Sequence, residues 1–129
     1  MPRVFLSYSR SELGHVRTLA QHLRSGGYDF WFDQELTGGQ HWWNEVLRQI
    51  FECDVFVPVI SEHSLRSNAC KLELQYAIAL GKPLLPVMVE QVSPRFLGPE
   101  LGRVQMLDYR TPTVDSATPV AGHGFSYAA

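Results

Sequence analysis

The feature that most constrains the fold is a nearly unbroken apolar run, DVFVPVIS, at residues 54–61. A strand that faces water on one side alternates apolar and polar residues, whereas a strand covered on both faces is apolar throughout. The run therefore predicts a strand buried between two layers. Such strands belong to parallel sheets, whose crossover connections place helices on the faces of the sheet.

The segments around this run alternate between strand and helix patterns. Helical spacing of apolar residues predicts helices at 12–27, 42–52 and 67–80. Short apolar or aromatic runs predict four further strands, at 3–8, 28–33, 83–90 and 103–109. Strand–helix alternation with short links and right-handed crossovers predicts an α/β fold. We expect a flavodoxin-like three-layer sandwich, with a five-stranded parallel sheet of order 2-1-3-4-5 and helices on both faces.

The character of the chain changes at its end. From Thr111 onward the sequence is rich in Pro, Gly, Ala, Ser and Thr and shows no periodicity. We expect one domain over residues 1–110, followed at 111–129 by a linker or disordered tail. A last helix normally covers the end of such a sheet, so we expect the tail to lead to a further domain.

Charge and composition argue against several classes of protein. The net charge is −2 and there is no basic stripe, so we expect no nucleic-acid partner. No apolar stretch approaches the roughly 18 residues of a membrane span, and the N-terminus lacks a secretion signal. Cys53 and Cys70 have no CxxC partner and no neighbouring His at ligand spacing. We therefore expect a cytoplasmic protein with reduced thiols and no metal site.

Chemically versatile residues gather where the predicted strands end. Open α/β sheets bind ligands outside the carboxyl ends of their strands. The residues that follow strands one, two and three include Tyr8, Ser9, Arg10, Asp33, Glu35, Ser61 and His63. Because these strand ends meet at one edge of the sheet, we expect a site there.

The helix predicted at 67–80 carries a misplaced acid. At about 100° per residue, Lys71 and Gln75 share a narrow polar arc, whereas Glu73 falls among apolar residues. Its position beside the same sheet edge makes Glu73 a candidate functional carboxylate. Structural interpretations stay open on the residues alone. A carboxylate near a helix N-terminus gains from the macrodipole whatever its role, Arg10 fits a solvated charge, and Tyr8 fits a core position.

The sequence lacks the motifs of other functional sites that occur at the carboxyl edge of α/β sheets. The sequence has no GxGxxG, no GxxxxGK followed by Ser or Thr, and no GxSxG. Dinucleotide, P-loop and hydrolase-elbow sites of the usual kinds are therefore excluded. A receiver domain would need an acidic cluster after the first strand and an Asp after the third, where this chain has SYSR and Ser61.

Four segments resemble the boxes of Toll/interleukin-1 receptor (TIR) domains of the bacterial type. They are VFLSYSR (4–10), FDQELTGGQHWW (32–43), CDVFVPVIS (53–61) and SLRSNACKLELQYAIALGKPLLPV (64–87). Some members of that family are adaptors. Others cleave NAD and release nicotinamide with ADP-ribose or a cyclic relative, often in immune or antiphage systems. The resemblance to the second branch implies an NAD nucleosidase, acting as glycohydrolase or ADP-ribosyl cyclase and activated by self-assembly, with NAD as substrate and no cofactor.

The resemblance also implies residue roles. The catalytic glutamate of the NAD-cleaving members is the E of their C..E segment, which is Glu73 here. Predicted substrate-binding residues are Tyr8, Ser9, Arg10, Asp33, Gly39, Trp42, Ser61 and Cys70. The predicted assembly loop consists of Leu36, Thr37, Gly38, Gly39, Gln40 and His41. Homotypic TIR–TIR contacts and a C-terminal sensor domain are the expected protein partners.

Two alternatives remain. A TIR adaptor without turnover would use Glu73 only as a relic or helix cap, and Ala69 favours this reading because many members carry Trp before the cysteine of C..E. A nucleoside-processing transferase with a glutamate at the same edge fits the fold but not the SYSR and D…L..G..W boxes. Nicotinamide release by the chain, and its dependence on Glu73, would distinguish these functions.

Overall fold

The structure is a computed structural model that describes residues 2–32 and 40–110, apart from the side chains of residues 40 and 41. The described strands are β1 (Arg3–Ser7), β2 (Asp29–Trp31), β3 (Val55–Ile60), β4 (Val87–Met88) and β5 (Leu107–Asp108). The helices are α1 (Leu13–Ser25), α2 (Gln40–Glu52), α3 (Glu62–Arg66), α4 (Asn68–Ala79) and α5 (Gly98–Gly102). Short 3-10 turns lie at Arg10–Glu12 and Pro94–Phe96.

The strands form one parallel sheet of order β2-β1-β3-β4-β5, which confirms the predicted topology. Strand β1 lies inside the sheet, next to the edge strand, and its Val4 aligns with Phe30 of β2 on one side and Val55 of β3 on the other. All six residues of β3 are buried, as its unbroken apolar run predicts. The parallel arrangement brings the carboxyl ends of β1, β2 and β3 to one edge.

Strand β4 is much shorter than predicted, because prolines interrupt the segment 83–90. Proline has no N–H to donate to a neighbouring strand. The backbone of Phe56 in β3 therefore pairs with Pro83 and Leu85, and regular pairing resumes only at Val87, beyond Pro86. The last strand is short as well and spans Leu107–Asp108 rather than 103–109.

Helix α3 lies where the sequence analysis places only a connection. Its start is fixed by a reciprocal capping box between Ser61 and Ser64. The Ser61 hydroxyl accepts the Ser64 N–H at 3.0 Å, and the Ser64 hydroxyl accepts the Ser61 N–H at 2.9 Å. A serine in place of the usual Glu or Gln at the fourth position of the box makes this signature hard to recognise in sequence.

Alternating side chains of β1 divide the core between the two faces of the sheet. Val4, Leu6 and Tyr8 point to the face covered by α1, which we call the α1 face. Phe5 points to the opposite face, which we call the α2–α4 face. Phe5 stacks there on Phe56 of β3, with ring centroids 5.4 Å apart. Helices therefore cover both faces, as predicted.

Candidate active site

The carboxyl end of β1 leads directly into a polar turn. Tyr8 is 6% exposed and packs edge-on against Phe32, with ring centroids 5.9 Å apart. The Ser9 hydroxyl donates a 2.7 Å hydrogen bond to the carboxylate of Glu12, and Glu12 itself is buried. Arg10 is exposed. The turn therefore contains an internal hydrogen bond to a buried carboxylate and carries an exposed cation, Arg10.

Helix α4 brings the candidate carboxylate to the same place. The Ser67 hydroxyl accepts the Cys70 N–H at 3.2 Å and caps the helix. Glu73 lies in the second turn and is half-buried. Its Oε1 accepts a 2.6 Å hydrogen bond from the hydroxyl of Ser7, at the end of β1. The acid that the apolar pattern does not explain therefore contacts the carboxyl end of β1.

A cleft of about 290 Å³ opens beside Glu73. Its wall is mainly aromatic on the side of α2, and polar on the side of the β1 turn and the start of α4. Among the described residues, it is lined by Phe5, Leu6, Tyr8, Ser9, Arg10, Trp31, Trp42, Trp43, Val46, Ser67, Ala69 and Glu73. Trp31 and Trp42 stack with centroids 5.8 Å apart. The arrangement sets one carboxylate against an aromatic wall, with a guanidinium nearby.

The structure brings together five of the residues that the sequence analysis selects: Tyr8, Ser9, Arg10, Trp42 and Glu73 all line this cleft. The positions of the predicted assembly loop and of two predicted binding residues relative to the cleft are not described. Asp33, Leu36, Thr37, Gly38 and Gly39 lie outside the described residues, as do the side chains of Gln40 and His41.

Two predicted binding residues lie elsewhere. Ser61 is fully buried, and its hydroxyl is occupied by the capping box of α3, so the structure does not place it on the cleft. Cys70 lines a separate cavity of about 150 Å³ on the other side of the β1–α4 contact. Ser61 follows β3 as predicted, but its hydroxyl caps the backbone of α3. Cys70 lies in the first turn of α4, and the cavity that it lines is bounded by residues of β3 and α5.

The sequence analysis missed three residues around the carboxylate. Ser7 holds Glu73, and Trp31 and Trp43 line the cleft. Strand alternation carries the signal for two of them, because Ser7 lies two residues after Phe5 and Trp31 alternates with the α1-face residues Phe30 and Phe32. Trp43 is half-buried, packs against the core of the α2–α4 face and also lines the cleft.

Electrostatics around Glu73 exclude the neighbouring thiol as a nucleophile. Burial raises the pKa of the Cys70 thiol, hydrogen bonds with the Ser67 and Ser7 side chains oppose that rise, and the carboxylates of Glu73 and Glu12 add to it. The thiol therefore stays protonated near neutral pH, and the thiolate is the reactive form of cysteine. Of these two side chains, the carboxylate of Glu73 is therefore the candidate for a role in catalysis.

The part of the chain that the structure describes contains neither a cluster of metal-ligating side chains nor a helix that could span a membrane. Over residues 2–32 and 40–110, no three His, Cys, Asp or Glu side chains cluster as metal ligands. Within the same ranges, none of the helices has the length and apolar character needed to traverse a bilayer.

The fold and the cleft define an open α/β domain of the flavodoxin-like type, with a carboxylate at the carboxyl edge of its sheet. A family model described as TIR domain matches residues 4–119. The chain therefore belongs to the TIR-domain family. The match extends past residue 110 into the segment predicted to be a linker or tail. No curated protein shows significant sequence similarity to the chain.

Solved structures of low sequence identity share the fold. The TIR domain of the Toll-related receptor TRR-2 from Hydra magnipapillata superposes with a TM-score of 0.74 at 18% identity, covering 98% of this chain and 96% of that one. The TIR domains of the activated Roq1 resistosome give 0.71 at 18% identity, covering 98% of both chains. The CMP N-glycosidase BcmB of Clostridium botulinum gives 0.63 at 22% identity, covering 84% of this chain and 90% of that one.

Proposed function

We propose that this TIR domain cleaves the nicotinamide–ribose bond of NAD, as a glycohydrolase or ADP-ribosyl cyclase. The observation that carries the proposal is the position of Glu73, half-buried at the wall of an aromatic cleft beside the carboxyl ends of the strands. This glutamate corresponds to the E of the C..E segment that the family's NAD-cleaving members use. An adaptor has no evident need for a carboxylate at the wall of a cleft.

The chemistry requires a negative charge more than a proton donor. Nicotinamide is cationic while bound to the ribose and leaves as a neutral molecule, so no general acid is needed. The transition state is oxocarbenium-like, as in glycosidases, and its positive charge develops on the ribose. A carboxylate held against the sugar stabilises that charge and accepts hydrogen bonds from the ribose hydroxyls. We assign this role to Glu73.

Other cleft residues supply binding surfaces for a dinucleotide. Trp42, stacked on Trp31, offers an aromatic face for a planar ring and shields the reacting bond from water. Arg10, exposed at the cleft, is a charge suited to the pyrophosphate. Attack by water on the ribosyl carbon gives ADP-ribose, and attack by a nitrogen of the adenine gives a cyclic product.

We further propose that the domain acts after self-assembly, in cytoplasmic immune signalling, and that a C-terminal sensor domain, joined through the segment 111–129, triggers the assembly. TIR domains occur together in the Roq1 resistosome, which is named as an activated assembly. The segment 36–41, next to the start of α2, is the proposed assembly loop. Assembly would bring a second copy close to each cleft and raise the rate of cleavage.

Product analysis tests this function. The purified chain is incubated with NAD at low and high protein concentration, and nicotinamide and the ribosyl product are identified by mass. We expect release that rises more than linearly with protein concentration. CMP serves as the competing substrate, because a protein of similar fold is named as a CMP N-glycosidase. Cytosine release without nicotinamide release would replace NAD as the substrate, and no release of either base would favour the adaptor.

A further inference from the structure

We propose that Ser7 is a positioning residue for Glu73, fixing the carboxylate in the orientation that the ribosyl transition state requires. This inference rests on the proposed function, because it assigns a part in the same reaction. Ser7 is the last residue of β1 and Glu73 lies in the second turn of α4, so the contact joins the strand to the helix. The two residues are 66 positions apart in the sequence, so the contact forms only when the chain folds.

The geometry places Ser7 behind the carboxylate rather than in the cleft. Its side chain is 3% exposed and lines the cavity of about 150 Å³ on the far side of the β1–α4 contact, whereas Glu73 lines the cleft. The hydroxyl therefore reaches Oε1 from the interior of the protein. Ser7 is absent from the described lining of the cleft, so a substrate bound there would meet Glu73 without replacing the serine.

The length of the bond indicates a strong interaction. At 2.6 Å between Ser7 Oγ and Glu73 Oε1, it falls in the range of hydrogen bonds from a hydroxyl to an ionised carboxylate. A glutamate side chain has three rotatable bonds, and a hydrogen bond from a buried strand restricts them before substrate arrives. Catalysis by a fixed charge depends on such preorganisation, because reorienting the carboxylate during the reaction would raise the barrier.

Other ionisable groups share this end of the sheet. Tyr8 and Arg10 belong to the β1 turn, Cys70 lies one turn before Glu73 on α4, and Glu12 is buried in the 3-10 turn. The second carboxylate of the region, Glu12, has its own hydroxyl partner in Ser9. Each of the two carboxylates is thus held by a different serine of the SYS segment. Only the one held by Ser7 lines the cleft.

Steady-state kinetics of Ser7→Ala test the proposal, with Ser64→Ala as the matched control. Ser64 is buried, donates and accepts hydrogen bonds within α3, and lines the same small cavity as Ser7. We expect Ser7→Ala to lower kcat about 10- to 100-fold with little change in KM, the size of effect that misplacement of a catalytic group produces. Ser64→Ala should keep the wild-type kcat in its folded fraction. Ser7→Thr retains the hydroxyl and should recover most of kcat.

Two pH titrations, one of kcat and one of the carboxyl itself, supply readouts that a merely structural role would not move. Loss of a hydrogen bond to the charged form of a carboxylate favours its protonation. In Ser7→Ala we therefore expect the acidic limb of the kcat profile, and the carbon-13 NMR titration of the Glu73 carboxyl, to move to higher pH. An unmoved titration in folded Ser7→Ala, or an equal kcat loss in Ser7→Ala and Ser7→Thr, would overturn the positioning role. Absence of nicotinamide release by the wild type would instead overturn the proposed function.

Discussion

The two faces of the sheet differ in how completely they are closed. On the α1 face, the core includes fully buried Val16, Leu19 and Tyr109, and it runs from α1 to the last strand. On the α2–α4 face, the buried cluster is smaller and its edge consists of half-buried tryptophans. The cleft opens at that edge. One face is therefore mainly a packed core, and the other combines packing with an accessible wall.

This difference separates stability from the proposed chemistry. Successive residues of β1 serve opposite faces, so Leu6 packs toward α1 while Ser7 turns toward Glu73. A strand that is anchored by one face can hold a polar residue on the other without losing its place in the sheet. Changes on the α1 face should therefore alter the free energy of unfolding, and changes at the cleft should alter catalysis.

The largest effect on stability is expected from Leu19→Ala, which removes a fully buried side chain of α1. Large-to-small core substitutions cost about 2–5 kcal/mol, through lost burial and the cavity left behind. Urea denaturation should give a loss of about 3 kcal/mol in the free energy of unfolding. The rate of nicotinamide release per folded molecule should stay at the wild-type value. A lower rate in the folded fraction would show that the two faces are not independent.

Alkaline pH should destabilise both faces, in different windows. Burial raises the pKa of Cys53, on the α2–α4 face, from 9.0 to about 11, and that of Tyr109, on the α1 face, from 10.0 to about 12. Each group binds its proton more tightly when folded, so its contribution is complete below the unfolded pKa and is lost as pH rises through the folded pKa. The loss should be on the order of 2 kcal/mol for each group.

Denaturation midpoints between pH 8 and pH 12 measure this effect. Cys53→Ala should flatten the dependence from about pH 9 to 11, and Tyr109→Phe should flatten it from about pH 10 to 12. Tyr109→Phe also removes the 2.7 Å hydrogen bond that the phenol shares with His22, so its stability at neutral pH should fall slightly. Identical alkaline slopes in both variants and the wild type would contradict the assignment to these two groups.

The smallest effect is expected from Trp42→Ala at the cleft. The side chain is half-buried and stacks on Trp31, so its loss removes part of the proposed ring-binding wall. An aromatic contact is worth about 0.5–1.5 kcal/mol, which corresponds to a roughly 2- to 13-fold fall in kcat/KM for NAD. The free energy of unfolding should change by less than in Leu19→Ala. A large stability loss with unchanged kcat/KM would place Trp42 in the core instead.

The fold could be predicted because strong patterns carry it. The apolar run of β3 and the regular alternation of strands and helices fix a parallel sheet, and its order is confirmed. The shortness of β4 was harder to predict. The apolar residues of the segment 83–90 are typical of a full-length strand, but Pro86 interrupts the pairing with β3. The solvent-exposed face of α4 is also wider than the polar arc of Lys71 and Gln75 predicts, because the neighbouring apolar residue Leu72 is 52% exposed.

The candidate site was predictable in its location and only partly in its members. The rule that strand ends converge selects Tyr8, Arg10 and Glu73, which do meet at the cleft. The same rule selects Ser61, whose hydroxyl the backbone of α3 uses instead. A list of residues near strand ends cannot reveal which hydroxyl goes to a helix cap and which goes to a carboxylate. That choice follows from tertiary contacts, as the bond from Ser7 to Glu73 illustrates.

The central claim is tested most directly by nicotinamide release from NAD in Glu73→Gln, compared with Glu100→Gln. Glu100 is an exposed glutamate in the first turn of α5 and is absent from the described lining of the cleft, so its variant controls for the loss of one surface charge. The three proteins are compared at matched concentrations that permit assembly, and circular dichroism checks that each is folded. We expect the wild type and Glu100→Gln to release nicotinamide at equal rates. Glu73→Gln should be slower by about 1,000-fold, the order of effect of removing an electrostatic stabiliser of a transition state. Equal rates in all three proteins would contradict the catalytic role of Glu73.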